Sequence, residues 1–302
     1  MIDDVVLTAG HYEAVVTPFG AALRSARRRG RNLIAERPPG FDPSMRGAVL
    51  APWPNRTADG RYEFDGRTHE LGITEPTTRT AVHGLVTRTL FDVAARTDRS
   101  AVLSTVIDRP SGYPWRVRLE VSIVVSEEGV EQRITATNES EERAPVGLGA
   151  HPSLVAGPAV PSAIDRWVLT VPADEVMMVS DDRMLPIGRV PVEGTPFDLR
   201  RAQPIGARVV NNALTALRQD DEGLVRVSLV DPADGTGVEL RVDGSSPWLQ
   251  VYTADHGPAG EYRHAVAVEP STCPPDALRS GVNLRLLEPG QSTSLWWELR
   301  AL

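Results

Sequence analysis

The sequence predicts an all-β protein built as a large antiparallel β-sandwich. Strand-length alternation of apolar and polar residues recurs along the chain, 25 prolines and 25 glycines are spread through it, and no long amphipathic helical pattern competes. Frequent turns are what a sandwich of many short strands requires.

Taken in order, the segment from Ala21 to Arg29 fits either a strand or a helix. It overlaps a basic run, ArgSerAlaArgArgArgGlyArg at 24–31, whose glycine suggests a solvated turn. Val117, Leu119, Val121, Ile123 and Val125 alternate with Arg116, Arg118, Glu120 and Ser122, so one face of that strand is buried. Asn212 to Gln219 is compatible with a short helix. Val225, Val227 and Leu229 are joined by a turn-rich loop at 231–237 to Val238, Leu240 and Val242, which makes a hairpin. Near the end, a GluProGlyGln turn at 288–291 leads into Leu295, Trp297 and Leu299, alternating with Trp296, Glu298 and Arg300. No internal repeat, low-complexity tract or composition shift marks a linker, so residues 1–302 read as a single domain.

Composition narrows the function classes. A net charge of −8 argues against nucleic acid or an anionic membrane as the main partner, because both select a basic surface. MetIleAspAspValValLeuThr has neither the basic region nor the apolar core of a signal peptide, and no stretch approaches the roughly 18 apolar residues of a membrane span. The expectation is a cytoplasmic protein, monomeric or weakly dimeric. One cysteine, Cys273, allows no internal disulfide and no thiolate metal cluster, and it reads as a small, semi-buried residue.

The chemistry-bearing residues stand far apart. His83 lies in AlaValHisGlyLeu, His151 in GlyAlaHisPro and Glu269 in AlaValAlaValGluPro, each where a β-rich stretch meets a turn. Imidazoles and a carboxylate suit acid–base work near neutral pH, since histidine titrates there and glutamate stays ionised. Glu269 precedes a proline, which biases it to extended geometry at the end of a strand, and the apolar run 265–268 argues against a surface carboxylate. A lone histidine before glycine or proline is otherwise an ordinary turn residue.

Further motifs frame these three. AlaProTrpProAsnArg at 51–56 is followed by AspGlyArgTyrGluPheAspGly at 59–66 and by the HisGly pair at 83–84. GlyAlaHisPro at 149–152, TrpLeuGlnValTyrThr at 248–253 and ValGluProSerThrCysProProAspAla at 268–277 continue the series. In this order and spacing, over nearly the whole chain, the sequence resembles the aldose 1-epimerase (mutarotase) family. The resemblance implies a β-sandwich of the galactose mutarotase type, a supersandwich, and interconversion of the α and β anomers of a free aldose. It implies Glu269 as base, His151 as acid and His83 beside the ring oxygen. Arg56, Asn55, Asn211 and Tyr252 are the implied sugar-binding residues, and neither a metal nor another cofactor is implied. Positioned acids and bases contribute about 10² to 10⁴ each, enough for a reaction that is already spontaneous in water.

One departure affects substrate choice. Family members carry an aspartate where this chain has Asn211, in ValAsnAsnAlaLeuThr at 210–215, and often an aromatic where it has Leu214. An amide keeps one acceptor, gains donors and loses the charge, so altered sugar specificity is expected. Trp53 and Trp248 are either core residues or sugar platforms, with core favoured for Trp248. Arg56 alternatively caps a loop. His11, His69, His256 and His264 fall outside the motifs and are expected at the surface or in turns.

Three other readings compete. A sugar-phosphate 1-epimerase would need converging cations, for which Arg56, Arg79 and Arg88 are the candidates. A carbohydrate-binding protein on the same scaffold would have lost turnover, in keeping with Asn211. A metal site of two histidines and one carboxylate would use His83, His151 and Glu269, although such ligands usually lie closer in sequence. A two-carboxylate glycosidase is disfavoured because a single carboxylate looks well placed.

Overall fold

The computed structural model describes residues 3–256 and 258–302. Two large antiparallel sheets dominate it. The first runs in the order Asp92–Arg96, Ser100–Asp108, Arg116–Val125, Val130–Asn138, Ser292–Ala301, Gly237–Val242, Val225–Val230 and Val168–Thr170. The second, which we call the site sheet, runs Pro186–Pro191, Ala173–Val179, Asn211–Leu217, Trp248–Tyr252, Val266–Ser271, Gly149–Ala150 and Val49–Leu50. Ser153–Leu154 also pairs with Val266–Ser271. A four-stranded sheet, Val5–Ala9 to Arg31–Asn32, precedes both.

The alternating segments become the long strands of the first sheet. Val117, Leu119, Val121, Ile123 and Val125 are buried, and the polar residues between them are not. Val225–Val230 and Gly237–Val242 form the expected hairpin, and the C-terminal strand inserts between that hairpin and Val130–Asn138. One continuous core joins Val121, Ile134, Leu240 and Leu295 of the first sheet to Leu214, Val251 and Val268 of the site sheet. Each large apolar side chain withdrawn from water in this way contributes about 1.5 to 3 kcal/mol.

Two local expectations are corrected. Asn212 to Gln219 is not helical; Asn211–Leu217 is a strand, paired on both sides, to Ala173–Val179 and Trp248–Tyr252. Too short to nucleate alone, the segment takes the conformation its neighbours can hydrogen-bond. The basic run is not a loose turn either, because Ala22–Arg28 is a strand with the turn confined to Arg29 and Gly30, both at positive φ. Arg24 donates to the Arg37 carbonyl, and Arg27 pairs with Glu13 and Glu36, so these charges are committed. Trp53 and Trp248 are both core residues. Cys273 is fully buried, and burial pushes its thiol up to about 12.

Polar atoms inside the first sheet are paired sparingly. The Trp297 indole N–H donates to Gln132 Oε1 at 3.0 Å, with both residues buried. Trp297→Phe is therefore expected to lower stability by about 1 to 3 kcal/mol, since it strands the Gln132 amide. Urea unfolding should show a lower midpoint with an unchanged slope, and adding Gln132→Leu should restore part of the loss.

Candidate active site

A cavity of about 530 Å³ lies over one face of the site sheet, within the range of small-molecule pockets. Strand register builds its floor. The pairs Gly149↔Ser271 and Ser153↔Ala267 put His151 opposite Glu269, where the ladder is interrupted. Pro152 and Pro270 have no N–H to leave unpaired in that gap, and the Pro152 carbonyl accepts from Val268 N–H at 3.1 Å. On its other flank Glu269 pairs in register with Gln250. The next row of the floor, two residues along, consists of Ser153, Ala267, Tyr252 and Asn211. The HisPro and GluPro dipeptides thus mark the two sides of one break.

His83 reaches the cavity from a different direction. It follows the strand Thr80–Val82 with φ of 61°, and Gly84 follows with φ of 76°. A Cβ on Gly84 would stand 2.0 Å from the Ala51 carbonyl oxygen, so glycine is obligatory after this histidine. The His83 backbone N–H donates to the Asn55 carbonyl at 2.9 Å, and Asn55 N–H donates back to His83 Nδ1 at 3.1 Å. That second bond occupies Nδ1 as an acceptor, so the neutral ring carries its hydrogen on Nε2.

The three side chains meet. His151 Nε2 lies 3.2 Å from Glu269 Oε1, and the His83 and His151 rings are 5.5 Å apart, edge to face. Glu269 is 5% exposed and His151 8%, so the carboxylate has almost no water to solvate its charge. Burial raises the Glu269 proton affinity, only partly opposed by His151 and Arg56. Burial, with the positive potential of His151 and Arg56, holds His83 well below the usual imidazole range, so it stays neutral.

Arg56 lines the cavity and grips Glu75 with two bonds, at 2.7 and 2.9 Å. Burial pushes the Glu75 carboxyl up, but the bonds from Arg56, Thr78 and Thr80 outweigh it and hold it low. Asn55 accepts from Arg56 N–H through Oδ1 at 2.8 Å. Asn211 Oδ1 accepts from Gln250 Nε2 at 2.8 Å, which leaves Gln250 Oε1 buried without a partner. The Tyr252 hydroxyl bonds the backbone of His256, and burial raises its pKa.

Several sequence expectations change here. His256 is exposed in a bend, as expected, and His264 lies in a bend but is buried; both line the cavity. His69 stacks on Tyr62 at 5.0 Å between ring centres, while His11 is the exposed turn histidine expected. Leu214 faces the core and not the cavity wall. Glu269 is not the single carboxylate present, since Glu75 and Glu261 also line the cavity, each bound by an arginine. Arg79 pairs with Asp59 and Arg88 lies over the Phe41 ring, so the cations of a phosphate site do not converge. Gln250 was legible in principle, as the polar residue on the Trp248–Tyr252 face that alternates with buried Leu249 and Val251.

The ligand-capable atoms of His83, His151 and Glu269 lie within 4.8 Å of one another, close enough to hold an ion. The tautomer argues against it: with Asn55 N–H on Nδ1, the remaining nitrogen of His83 is an N–H donor and offers no lone pair. The arrangement fits a neutral donor beside an acid–base pair better than a ligand set.

Fold and site together define a galactose mutarotase-like β-sandwich carrying a buried imidazole–carboxylate pair. The chain belongs to the aldose 1-epimerase family, whose family model matches residues 3–300. It is 29% identical to the uncharacterised protein YihR of Escherichia coli (strain K12), over 98% of this chain and 92% of that one. It is 34% identical to galactose mutarotase of Homo sapiens over 53% of this chain and 46% of the human one. Among solved structures, the GalM/aldose epimerase homologue from C. elegans superposes with a TM-score of 0.86 at 18% identity, covering 99% and 98% of the two chains. Galactose 1-epimerase from Lactobacillus acidophilus NCFM gives 0.80 at 18% identity, covering 99% and 94%.

The raised proton affinity of Glu269 has a stability consequence. Folded protein holds this proton more tightly than unfolded chain, so the favourable contribution is complete below about pH 4.3 and is lost as pH rises through the folded value. Above the folded value the ionised carboxylate is held at a cost. Glu269→Gln is expected to melt at a higher temperature than wild type at neutral pH, and the gap should close in acid, as thermal unfolding at several pH values will show.

Proposed function

We propose that this protein is an aldose 1-epimerase that opens and recloses the ring of a free aldose. The observation that carries the reading is the buried contact of 3.2 Å between His151 Nε2 and Glu269 Oε1 beside a neutral His83. Glu269 removes the proton from the C1 hydroxyl, the C1–O1 bond becomes a carbonyl and the C1–O5 bond breaks. His151 delivers its Nε2 proton to O5. Rotation about C1–C2 presents the other face of the aldehyde, O5 attacks it and returns its proton to His151, and O1 recovers a proton from Glu269. Desolvation supports the opening half, because a carboxylate stripped of water is a stronger base, and the contacts with His151 and Arg56, which favour the ionised form, assist the return of the proton on reclosure.

Around this pair, His83 donates from Nε2 to the ring oxygen or a neighbouring hydroxyl. Arg56 adds positive potential, and Glu75 fixes the guanidinium and offsets part of its charge. Asn55, Asn211 and Tyr252 supply the remaining polar wall. With Asn211 Oδ1 already occupied by Gln250, the amide presents donors where the family's aspartate presents only acceptors. The reading is therefore an enzyme of altered sugar preference, without high-affinity galactose binding. It works as a single domain over residues 1–302, as a monomer or weak dimer in the cytoplasm, with no metal or nicotinamide. No helix among the described residues is long and apolar enough to cross a membrane.

Polarimetry of freshly dissolved α-D-glucose, α-D-galactose and α-D-xylose, with a chelator present, tests this directly. Wild type should speed the approach to anomeric equilibrium, while Glu269→Gln and His151→Asn lose about 10³-fold. Galactose should not exceed glucose and xylose in kcat/KM, and Asn211→Asp should raise its affinity. Acceleration that survives in Glu269→Gln would remove the mechanism.

A further inference from the structure

Resting on the epimerase reading, we infer that Glu75 is a specificity-determining residue, whose carboxylate neutralises Arg56 and so keeps acidic sugars out of the cavity. Charge at the cavity wall carries the inference. Among the described residues two arginines line it, Arg46 and Arg56, and each is bound by carboxylates. Arg46 meets Asp42 through two bonds, at 2.7 and 3.2 Å, and Glu261 through a third at 3.1 Å. Arg56 meets one carboxylate only, that of Glu75, at 2.7 and 2.9 Å. An acidic sugar therefore finds no uncompensated guanidinium at this wall, and loss of the Glu75 charge is the single change that would expose one.

The local sequence holds Glu75 ready for this role. Thr74 N–H and Glu75 N–H both donate to the Thr80 carbonyl at 3.0 Å, and Thr80 N–H donates back to the Glu75 carbonyl at 3.1 Å, which closes the turn 75–80. Inside it the Thr78 and Thr80 hydroxyls donate to Glu75 Oε2, the second at 3.2 Å. The carboxylate is thus oriented by its own turn. Burial pushes its proton affinity up, but the bonds from Arg56 and the two threonines outweigh that, so the neutralising charge is present at neutral pH. The chain then enters Thr80–Val82, which pairs with Arg56–Ala58 in the register Arg56↔Val82. Turn and ladder together set carboxylate against guanidinium.

The pairing selects between sugars without blocking them all. Glu75 occupies Nε and Nη2 of the guanidinium, so Nη1 remains to donate to a neutral hydroxyl. For a sugar that carries its own carboxylate the balance differs, because it must shed water before a wall whose arginines are already paired. Electrostatic influence extends about 8 Å at physiological ionic strength, so the exclusion requires no single orientation of the sugar.

Calorimetric affinities at neutral pH for D-glucose, D-glucuronate and the neutral amide D-glucuronamide test the assignment, with wild type, Glu75→Gln, Glu75→Asp, and Glu75→Gln combined with Arg56→Gln. Wild type should bind glucuronate about tenfold more weakly than glucuronamide, which matches it in shape and lacks the charge. Glu75→Gln should raise the ratio of glucuronate to glucuronamide affinity about tenfold, with the gain shrinking as salt is added. Glu75→Asp, which keeps the charge, should stay near the wild-type ratio, and removing Arg56 as well should return the ratio to it. An unchanged ratio in Glu75→Gln, with all three sugars weakened alike, makes Glu75 a structural prop and overturns the inference. Rejection of the amide as strongly as of the acid means exclusion by shape and overturns it too. The wild-type comparison of acid with amide reads the same point should the variants fail to fold, and equal affinity for the two overturns the inference. Affinity is measured whether or not anomers exchange, so binding without turnover counts against the epimerase reading alone. Absence of any sugar binding overturns both.

Discussion

Everything at this site depends on one constraint, the cross-strand register that sets His151 opposite Glu269 on one side and Gln250 on the other. Three residues separated by many others in sequence become neighbours because antiparallel strands repeat side-chain orientation every second residue. A slip of one residue would turn Glu269 into the apolar core and Val268 into the cavity. The two prolines make the arrangement possible without waste, since the ladder can break beside the imidazole–carboxylate pair without stranding a donor. His83 is added from outside the sheet by a left-handed turn that only the following glycine can close.

The sheet also supplies the electrostatics. Behind Glu269 lie Val251 and Val268 and the core they share with the first sheet, so the carboxylate sits at the boundary between packed hydrocarbon and an open cavity. That position raises its proton affinity while leaving it reachable by substrate. Among the residues that line the cavity, His151 Nδ1, Gln250 Oε1 and His264 Nε2 are buried without partners.

Much of this was legible in the sequence, for identifiable reasons. The strands of the first sheet alternate cleanly because one face is buried and the other meets water, and His83, His151 and Glu269 stand in short motifs with strict backbone demands. Asn211–Leu217 was not legible, since its apolar content and length suit a helix as well as a strand, and only its two neighbours decide. Gln250 lies in a strand buried on both faces, where its amide, alternating with Leu249 and Val251, is the one signal the pattern offers. The tie between the 42–46 loop and Glu261 carries no motif in the sequence. The commitment of Arg56 to Glu75, and of Arg79 and Arg88 to Asp59 and Phe41, likewise needed the fold to appear.

The central claim is that burial beside His151 turns Glu269 into a base with more than ordinary proton affinity. Its most direct test is a carbon-13 NMR titration of side-chain carboxyl-labelled glutamate in the whole protein, with Glu269→Gln used to assign the resonance. The account predicts a midpoint above the roughly 4.3 of an unperturbed glutamate. A midpoint at or below that value would contradict it.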